Sequence, residues 1–236
     1  MTDLLYLFDS NIEEFEATVT AISGVQVALD RTSFYPGGGG QPCDHGRLAA
    51  GDQTWRVTQV KSEGLFVWHT LEGSRQPIVG QALQGKIDWE RRHKLMRTHT
   101  AMHILCGVVW RDYGAKVTGG NMQLLRGRMD FEFETMRAEL VREIEQNINE
   151  EVAFGRQVSV NTLPREEALR IPDLIRTKIN LLPDGITEVR TVEIEGLDLQ
   201  ADGGTHVSNT SEVGRIRVVD YKSKGAINKR IVVALD

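Results

Sequence analysis

Two pairs of potential metal ligands, far apart along the chain, constrain its fold more than any other feature. His99 and His103 sit four residues apart in Arg97-Thr98-His99-Thr100-Ala101-Met102-His103, a run of helical character. An α-helix turns every 3.6 residues, so side chains at i and i+4 stack on one face and two imidazoles there can meet one ion. Alone, such a pair suits a solvated face or a satisfied core equally well. The second pair, Asp202 and His206, brackets a glycine turn in Asp198-Leu199-Gln200-Ala201-Asp202-Gly203-Gly204-Thr205-His206-Val207. Imidazole nitrogen and carboxylate oxygen suit a borderline cation such as zinc in a tetrahedral set. A fold that honours both pairs must bring a helix to a glycine turn and close His99, His103, Asp202 and His206 on one point.

The rest of the pattern is α+β. Residues 1–88 read as short strands separated by turn residues: 16–22, 25–29, 47–49, 55–60, 65–70 and 82–87, with Gly24, Gly51-Asp52, Glu63-Gly64 and Glu72-Gly73 between them. Many short strands with regular turns predict a small barrel or sandwich. Asp88 is a helix N-cap, and the helix it opens runs over 89–113 to Gly114, with Leu95, Met102, Leu105, Val109 and Trp110 as its buried stripe and His99 on the same face. A hairpin is expected over 116–133, turning at Arg126-Gly127. A second helix follows over 136–154, ended by Gly155, with Leu140, Ile144, Ile148 and Val152 recurring every four residues. Strands are expected over 158–163, 187–193, 213–220 and 228–235, with a short helix at 164–169. The domain boundary falls at Asp88, giving 1–88 and 89–236.

Charge and cysteine usage exclude several classes. A net charge of −5 argues against broad coating of nucleic acid, although a local basic track can still bind phosphate. Two candidate tracks are Arg91-Arg92-His93-Lys94 with Arg97, and Lys222, Lys224, Lys229 and Arg230. The two cysteines, Cys43 and Cys106, have no metal or redox spacing and fit a reducing compartment. The N-terminal Met1–Asp9 is too short and acidic for a signal peptide, and no apolar run can span a bilayer, so a cytoplasmic protein without membrane contact is expected. His-x-x-x-His without a following Glu is not a metalloprotease helix. The run Gly37–Gly40 is neither a dinucleotide fingerprint nor a Walker loop; glycines let a backbone approach a ligand closely, and the Thr32 hydroxyl and Gln41 amide flank the run.

Three stretches in this order resemble one family. Thr32-Ser33-Phe34-Tyr35-Pro36 with Gly39-Gly40-Gln41-Pro42, Asp44 and Gly46, then His99-Thr100-Ala101-Met102-His103, then Gly203-Gly204-Thr205-His206-Val207 look like the editing domain of alanyl-tRNA synthetases and the free-standing alanyl-tRNA editing proteins. The resemblance implies a small N-terminal β-barrel-like domain followed by an α+β editing domain with two long helices packed on an antiparallel sheet. It implies one Zn2+ per chain on His99, His103, Asp202 and His206. The implied activity is that of a metal-dependent aminoacyl-tRNA deacylase, an ATP-independent ester hydrolase. Its partner would be the acceptor end of tRNA(Ala) carrying a wrong amino acid, serine or less often glycine. By the same match Thr32 recognises the serine hydroxyl and Gln41 orients the amino acid or terminal adenosine. The backbone of Gly38, Gly39 and Gly40 lies against them. Recognition of the acceptor stem is expected to fall to the domain itself, through Arg91, Arg92, Lys94 and the strip from Lys222 to Arg230. The resemblance leaves oligomeric state open.

One departure stands out. The family pattern has Cys where this chain has Asp202, and a thiolate binds zinc more tightly than a carboxylate. The synthetase's aminoacylation domain has no room in 236 residues beginning at Met1, and the long C-terminal extension of some relatives is missing, so editing in trans is expected. Two alternatives remain at this level. A threonyl-type editing domain shares the His-x-x-x-His pattern, but has Cys-Arg-Gly-Pro-His where this chain has Asp202-Gly203-Gly204-Thr205-His206. A non-catalytic tRNA-binding module with a decayed metal site would also carry Asp202.

Overall fold

The computed structural model describes residues 1–73, 75–176 and 185–236. It divides into two compact units, Met1–Lys94 and Leu95–Asp236.

In the first unit, alternating apolar residues demand an enclosed face, and six strands supply it by closing on themselves. These are β2 (Glu14–Ser23), β3 (Gln26–Leu29), β5 (Gly46–Ala50), β6 (Gln53–Glu63), β7 (Phe66–Glu72) and β8 (Ala82–Ile87), in the barrel order β2-β3-β7-β6-β5-β8. Closure removes sheet edges. The inward positions are Phe15, Val19, Leu48, Trp55, Val57 and Leu83, packed with Phe34 from the loop before β5. Two further short strands, β1 (Asp3–Leu4) and β4 (Arg31–Thr32), pair in parallel and carry the chain into that loop.

The second unit is built on α1 (Trp89–Tyr113), which starts in the first unit and carries both histidines beyond the boundary. Asp88 accepts from the backbone N–H of Arg91 at 3.1 Å, so the expected cap is present, and Gly114 closes the helix with φ +63°. The expected stripe is too narrow. From Leu95 through Val109 only Arg97 is not buried, while Trp110 is half-exposed. A helix covered on nearly every side has little amphipathic pattern to read.

A four-stranded antiparallel sheet runs β14 (Ile216–Ser223), β15 (Asn228–Leu235), β10 (Arg126–Glu132), β9 (Val117–Gln123), and a three-stranded one β11 (Val158–Pro164), β12 (Glu188–Ile194), β13 (Asp198–Ala201). A one-turn helix, α3 (Arg165–Ala168), follows β11 directly, so Pro164 ends the strand instead of opening the helix. The β9–β10 turn is not Arg126-Gly127. Arg126 pairs with Gln123, which leaves Leu124-Leu125 as the turn, with Leu125 at φ +55°. Gly127 is needed inside β10 for another reason: a Cβ there would collide with the sulfur of Met102, on the helical turn between the two histidines.

The second long helix, α2 (Ala138–Phe154), buries Val141, Ile144, Ile148 and Glu151; Leu140 and Val152 are only half-buried. Glu151 takes the place of an apolar residue because Arg111 and Arg156 both pair with it. The polar side of α2 secures the β14 edge: Asn149 bonds both the N–H and the C=O of Ile216 at 3.0 and 2.7 Å, and Glu145 accepts from the N–H of Val218 at 2.7 Å. Among the described residues, no helix is long and apolar enough to cross a membrane.

Candidate functional site

The two ligand pairs meet. One donor atom from each of His99, His103, Asp202 and His206 lies within 4.8 Å of the other three, and the group could hold a metal ion. Helical spacing sets His99 beside His103, with ring centroids 5.1 Å apart. β13 delivers Asp202 just after its end, and the turn through Gly203-Gly204 folds His206 back so that its ring stacks on His99 at 4.3 Å and meets His103 edge-on at 4.7 Å. The Asp202 carboxylate secures that turn itself, accepting from the N–H of Gly204 at 2.7 Å. It also lies 3.1 Å from His206 Nε2 and 3.5 Å from His99 Nε2.

The protonation states suit a cation. Burial pushes the pKa of His99 well below its ordinary value and that of His206 down to about 4, so both rings are neutral near pH 7. Burial alone would raise the Asp202 carboxyl; the His99 ring and the hydrogen bond from His206 outweigh it and hold the group well below the usual carboxylate range. For His103 burial works downward, but the hydrogen bond and charge of Asp198 prevail and the pKa rises. His99 and His206, neutral beside an ionised carboxylate, are in the ligand states that a divalent ion requires, whereas His103 must give up a proton to join them.

Support for the ligands comes from residues that spacing did not single out. Asp198, at the start of β13, accepts from His103 Nδ1–H at 2.9 Å, which leaves the Nε2 lone pair for a metal. Gln200 donates to the same carboxylate oxygen at 2.7 Å, and Arg176 pairs with the other at 2.5 Å. Arg190 donates to the Asp202 backbone carbonyl at 2.9 Å. Thr100 Oγ1 lies 3.2 Å from His206 Nδ1 and accepts from the N–H of Val207 at 3.3 Å. Asp198 stood within the quoted stretch before Asp202, yet nothing local distinguishes it from other acids.

The remaining predicted residues lie in the first unit. Gly37, Gly38, Gly39 and Gly40 all have positive φ, between +56° and +137°, so the run is a tight hairpin that only glycine adopts readily. Gly38 and Gln41 exchange both backbone hydrogen bonds, at 3.1 and 2.8 Å, and the Tyr35 hydroxyl donates to the Gly38 carbonyl at 3.1 Å. Gly38 and Gly39 are exposed, Gly40 is half-buried and Gln41 is buried. Thr32 is fully buried: its Oγ1 lies 2.9 Å from His69 Nε2 and accepts from the N–H of Phe34 at 3.1 Å. His69 was not anticipated, although alternation along β7 places it inward with Val67 and Leu71.

The basic tracks are mostly structural. Arg92 has no exposed surface; its guanidinium holds Asp44 and the carbonyls of Ser10 and Ser33, which corrects the expectation that it faces a substrate. Arg91 is half-buried and donates twice to the Cys43 carbonyl, at 3.2 and 3.0 Å. Lys229 is buried and donates to the carbonyls of Gly225 and Ala226, and Arg230 makes a two-point pair with Asp130 at 2.7 Å. Lys222 and Lys224 are exposed. Cys106 is buried, with its thiol pKa pushed up to about 12 by burial, and Cys43 is a half-buried free thiol.

Comparison with known proteins agrees with this geometry. Two family models match: "tRNA synthetases class II (A)" over residues 3–91, and "Threonyl and Alanyl tRNA synthetase second additional domain" over residues 189–232. Alanyl-tRNA editing protein AlaX-M of Saccharolobus solfataricus is 40% identical over 98% of this chain and 98% of that protein. Its namesake from Methanosarcina mazei is 36% identical over 100% and 97%. The alanine–tRNA ligase of Ignicoccus hospitalis is 38% identical over 94% of this chain but only 24% of its own length.

Proposed function

The chain belongs to the family of alanyl-tRNA editing proteins, and from that membership we propose that it hydrolyses the ester joining a wrong amino acid, serine foremost and glycine second, to the 3′ end of tRNA(Ala). The convergence of His99, His103, Asp202 and His206 carries the reading. Near full-length coverage of the AlaX-M relatives, against a quarter of the ligase, supports editing in trans, in the cytoplasm where tRNAs are charged.

These four residues would hold Zn2+, which supplies Lewis-acid polarisation and a lowered pKa for bound water. The chain's own groups prepare that site. Asp198 keeps His103 in the tautomer with a bare Nε2. Asp202 shares its charge between His99 and His206, and Asp198 shares its own among His103, Gln200 and Arg176. Neither is left over as a general base, so the set acts as ligands with their supports.

A second sieve is needed because an apolar pocket discriminates poorly against an isostere that adds a hydroxyl. Thr32 has the right polarity for that sieve. His69 Nδ1 faces the Val27 carbonyl at 3.2 Å, and a carbonyl only accepts, so Nδ1 carries the proton. Burial holds the His69 pKa down to about 4, so the ring is neutral and Nε2 is an acceptor. The Thr32 hydroxyl therefore donates to His69 and accepts from Phe34, leaving one lone pair. Thr32 has no exposed surface, so a serine hydroxyl would reach that lone pair only once the residues covering it move aside; it could then donate to it, and the methyl of alanine could not. Gln41 and the exposed backbone at Gly38 and Gly39 would orient the amino acid and terminal adenosine. Arg91 would serve the acceptor end only through a guanidinium already bonded to Cys43.

The test is release of serine from Ser-tRNA(Ala) with Ala-tRNA(Ala) alongside. Serine loss that stops on chelation, returns with zinc, and falls a hundredfold or more in His206→Ala together with its bound zinc is the expected result. A folded, zinc-loaded protein that leaves serine attached would sink the reading.

A further inference from the structure

The barrel wall carries a charged row that only strand pairing reveals. Glu14 on β2 pairs in register with Lys86 on β8, Lys86 with Arg47 on β5, Arg47 with Arg56 on β6, and Arg56 with Glu72 on β7. Side chains alternate across a strand, and the sequence neighbours Leu48, Trp55, Val57 and Ile87 point into the core, so the row faces outward. Three cations thus stand side by side between two acids. Like charges directly opposite on neighbouring strands cost stability. The acids relieve only the ends: Glu14 pairs with Lys86, and Glu72 lies 3.5 Å from Arg56. Arg47, in the middle, is exposed and forms no ion pair among the described residues.

The same three cations, with His45 and Asp88, line a surface cavity of about 340 Å³. Asp88 is already committed to capping α1 through the N–H of Arg91. The His45 pKa is lowered, by burial first and then by the charges of Arg91 and Arg56, with Asp88 and Asp44 acting the other way. Exposed pairs such as Arg56–Glu72 contribute little and exchange readily for a phosphate, which a guanidinium meets with two parallel hydrogen bonds.

We propose that Lys86, Arg47 and Arg56 form a contact surface for consecutive phosphates of an RNA backbone. Adjacent strands lie about 4.8 Å apart, so the row spans roughly 10 Å, longer than one free phosphate and suited to a polymer of them. Identification of the RNA as tRNA rests on the proposed function; the surface itself rests on register and charge.

Binding of an uncharged tRNA(Ala) transcript across a salt titration tests the row without any chemistry. Arg47→Glu with Arg56→Glu should weaken binding tenfold or more at low salt and reduce the slope of log affinity against log salt by about 2. Arg47→Lys with Arg56→Lys should stay within about threefold of the natural protein. On full-length Ser-tRNA(Ala) the Glu pair should raise KM and spare kcat, while a seryl ester of the terminal CCA trinucleotide should be hydrolysed as by the natural protein. A Glu pair that unfolds at the natural temperature and keeps the natural affinity and salt slope overturns the proposal, as does a natural protein that binds no tRNA. Intact tRNA binding through the row, without serine release by the natural protein, would defeat the editing reading and leave the row standing.

Discussion

Two buried polar centres, one in each unit, make an instructive pair. In the barrel unit, Arg92 and Asp44 are almost wholly hidden, with side chains 0% and 1% exposed. Arg92 Nε donates to the carboxylate at 2.9 and 3.1 Å, Nη1 to the Ser10 carbonyl at 2.8 Å, and Nη2 to the Ser33 carbonyl and to Asp44. Asp44 also accepts from the N–H of Tyr35 at 2.7 Å. A guanidinium only donates and a carboxylate only accepts, so the pair completes itself. In the second unit the buried groups are three imidazoles and a carboxylate, each bringing one potential ligand atom within 4.8 Å of the others. Burial and charge are common to both centres. Donor–acceptor balance separates them: the closed centre holds a loop in place, while a centre with a surplus of lone pairs calls for a cation.

The contrast can be broken most forcefully at Arg92. Arg92→Met leaves Asp44 buried and unpaired, a loss of about 3–5 kcal/mol, measured by urea unfolding at pH 7. An equally stable variant would mean that the barrel centre is not closed in the sense described. At the second centre a comparable change should be felt in metal affinity. Asp198→Asn removes the charge behind His103, and zinc affinity from competition with a chromophoric chelator should fall about 10- to 100-fold. Unchanged zinc affinity would reduce Asp198 to a packing residue.

The smallest expected effect concerns His69, a buried neutral ring outside both centres. Its folded pKa of about 4 lies below the 6.5 of an unfolded histidine, with burial as the leading cause against the hydrogen bonds to Val27 and Val67. The unfolded chain therefore takes up a proton as pH falls through 6.5 while the folded chain does not, and stability drops from that point towards pH 4. Between pH 7 and 5.5 this amounts to about 1 kcal/mol. Paired denaturant curves on the natural protein and His69→Gln should differ in pH dependence by that increment. Parallel pH profiles would show that His69 takes up its proton in the fold as readily as in the unfolded chain, against the depressed pKa assigned to it.

Much of this was legible beforehand. The ligand pairs, both long helices, the capping by Asp88 and the strand-rich first part follow from local periodicity and turn chemistry. Arg92 was hidden by its neighbours: Arg91-Arg92-His93-Lys94 reads as a solvated run, although helical spacing puts Arg92 in line with Leu95 and His99. Glu151 was hidden in the same way on α2, where Arg111, forty residues away, and Arg156, just past the helix end, make an acid tolerable at a core position. Gly127 looked like a turn because glycine usually is one, and its true role depends on the Met102 side chain of another element.

The sequence by itself determined which atoms are available: imidazoles one helical turn apart, a carboxylate and a third imidazole around a glycine turn, and four glycines in a row. Tertiary structure decided what those atoms face. It set Asp198 behind His103 and His69 behind Thr32, spent Lys229, Arg230 and Arg92 on internal partners, and lined up Lys86, Arg47 and Arg56 across three strands. The reason is physical. Helical period and turn chemistry act over a few residues and are written locally, whereas strand register and barrel closure join residues whose proximity no local pattern encodes.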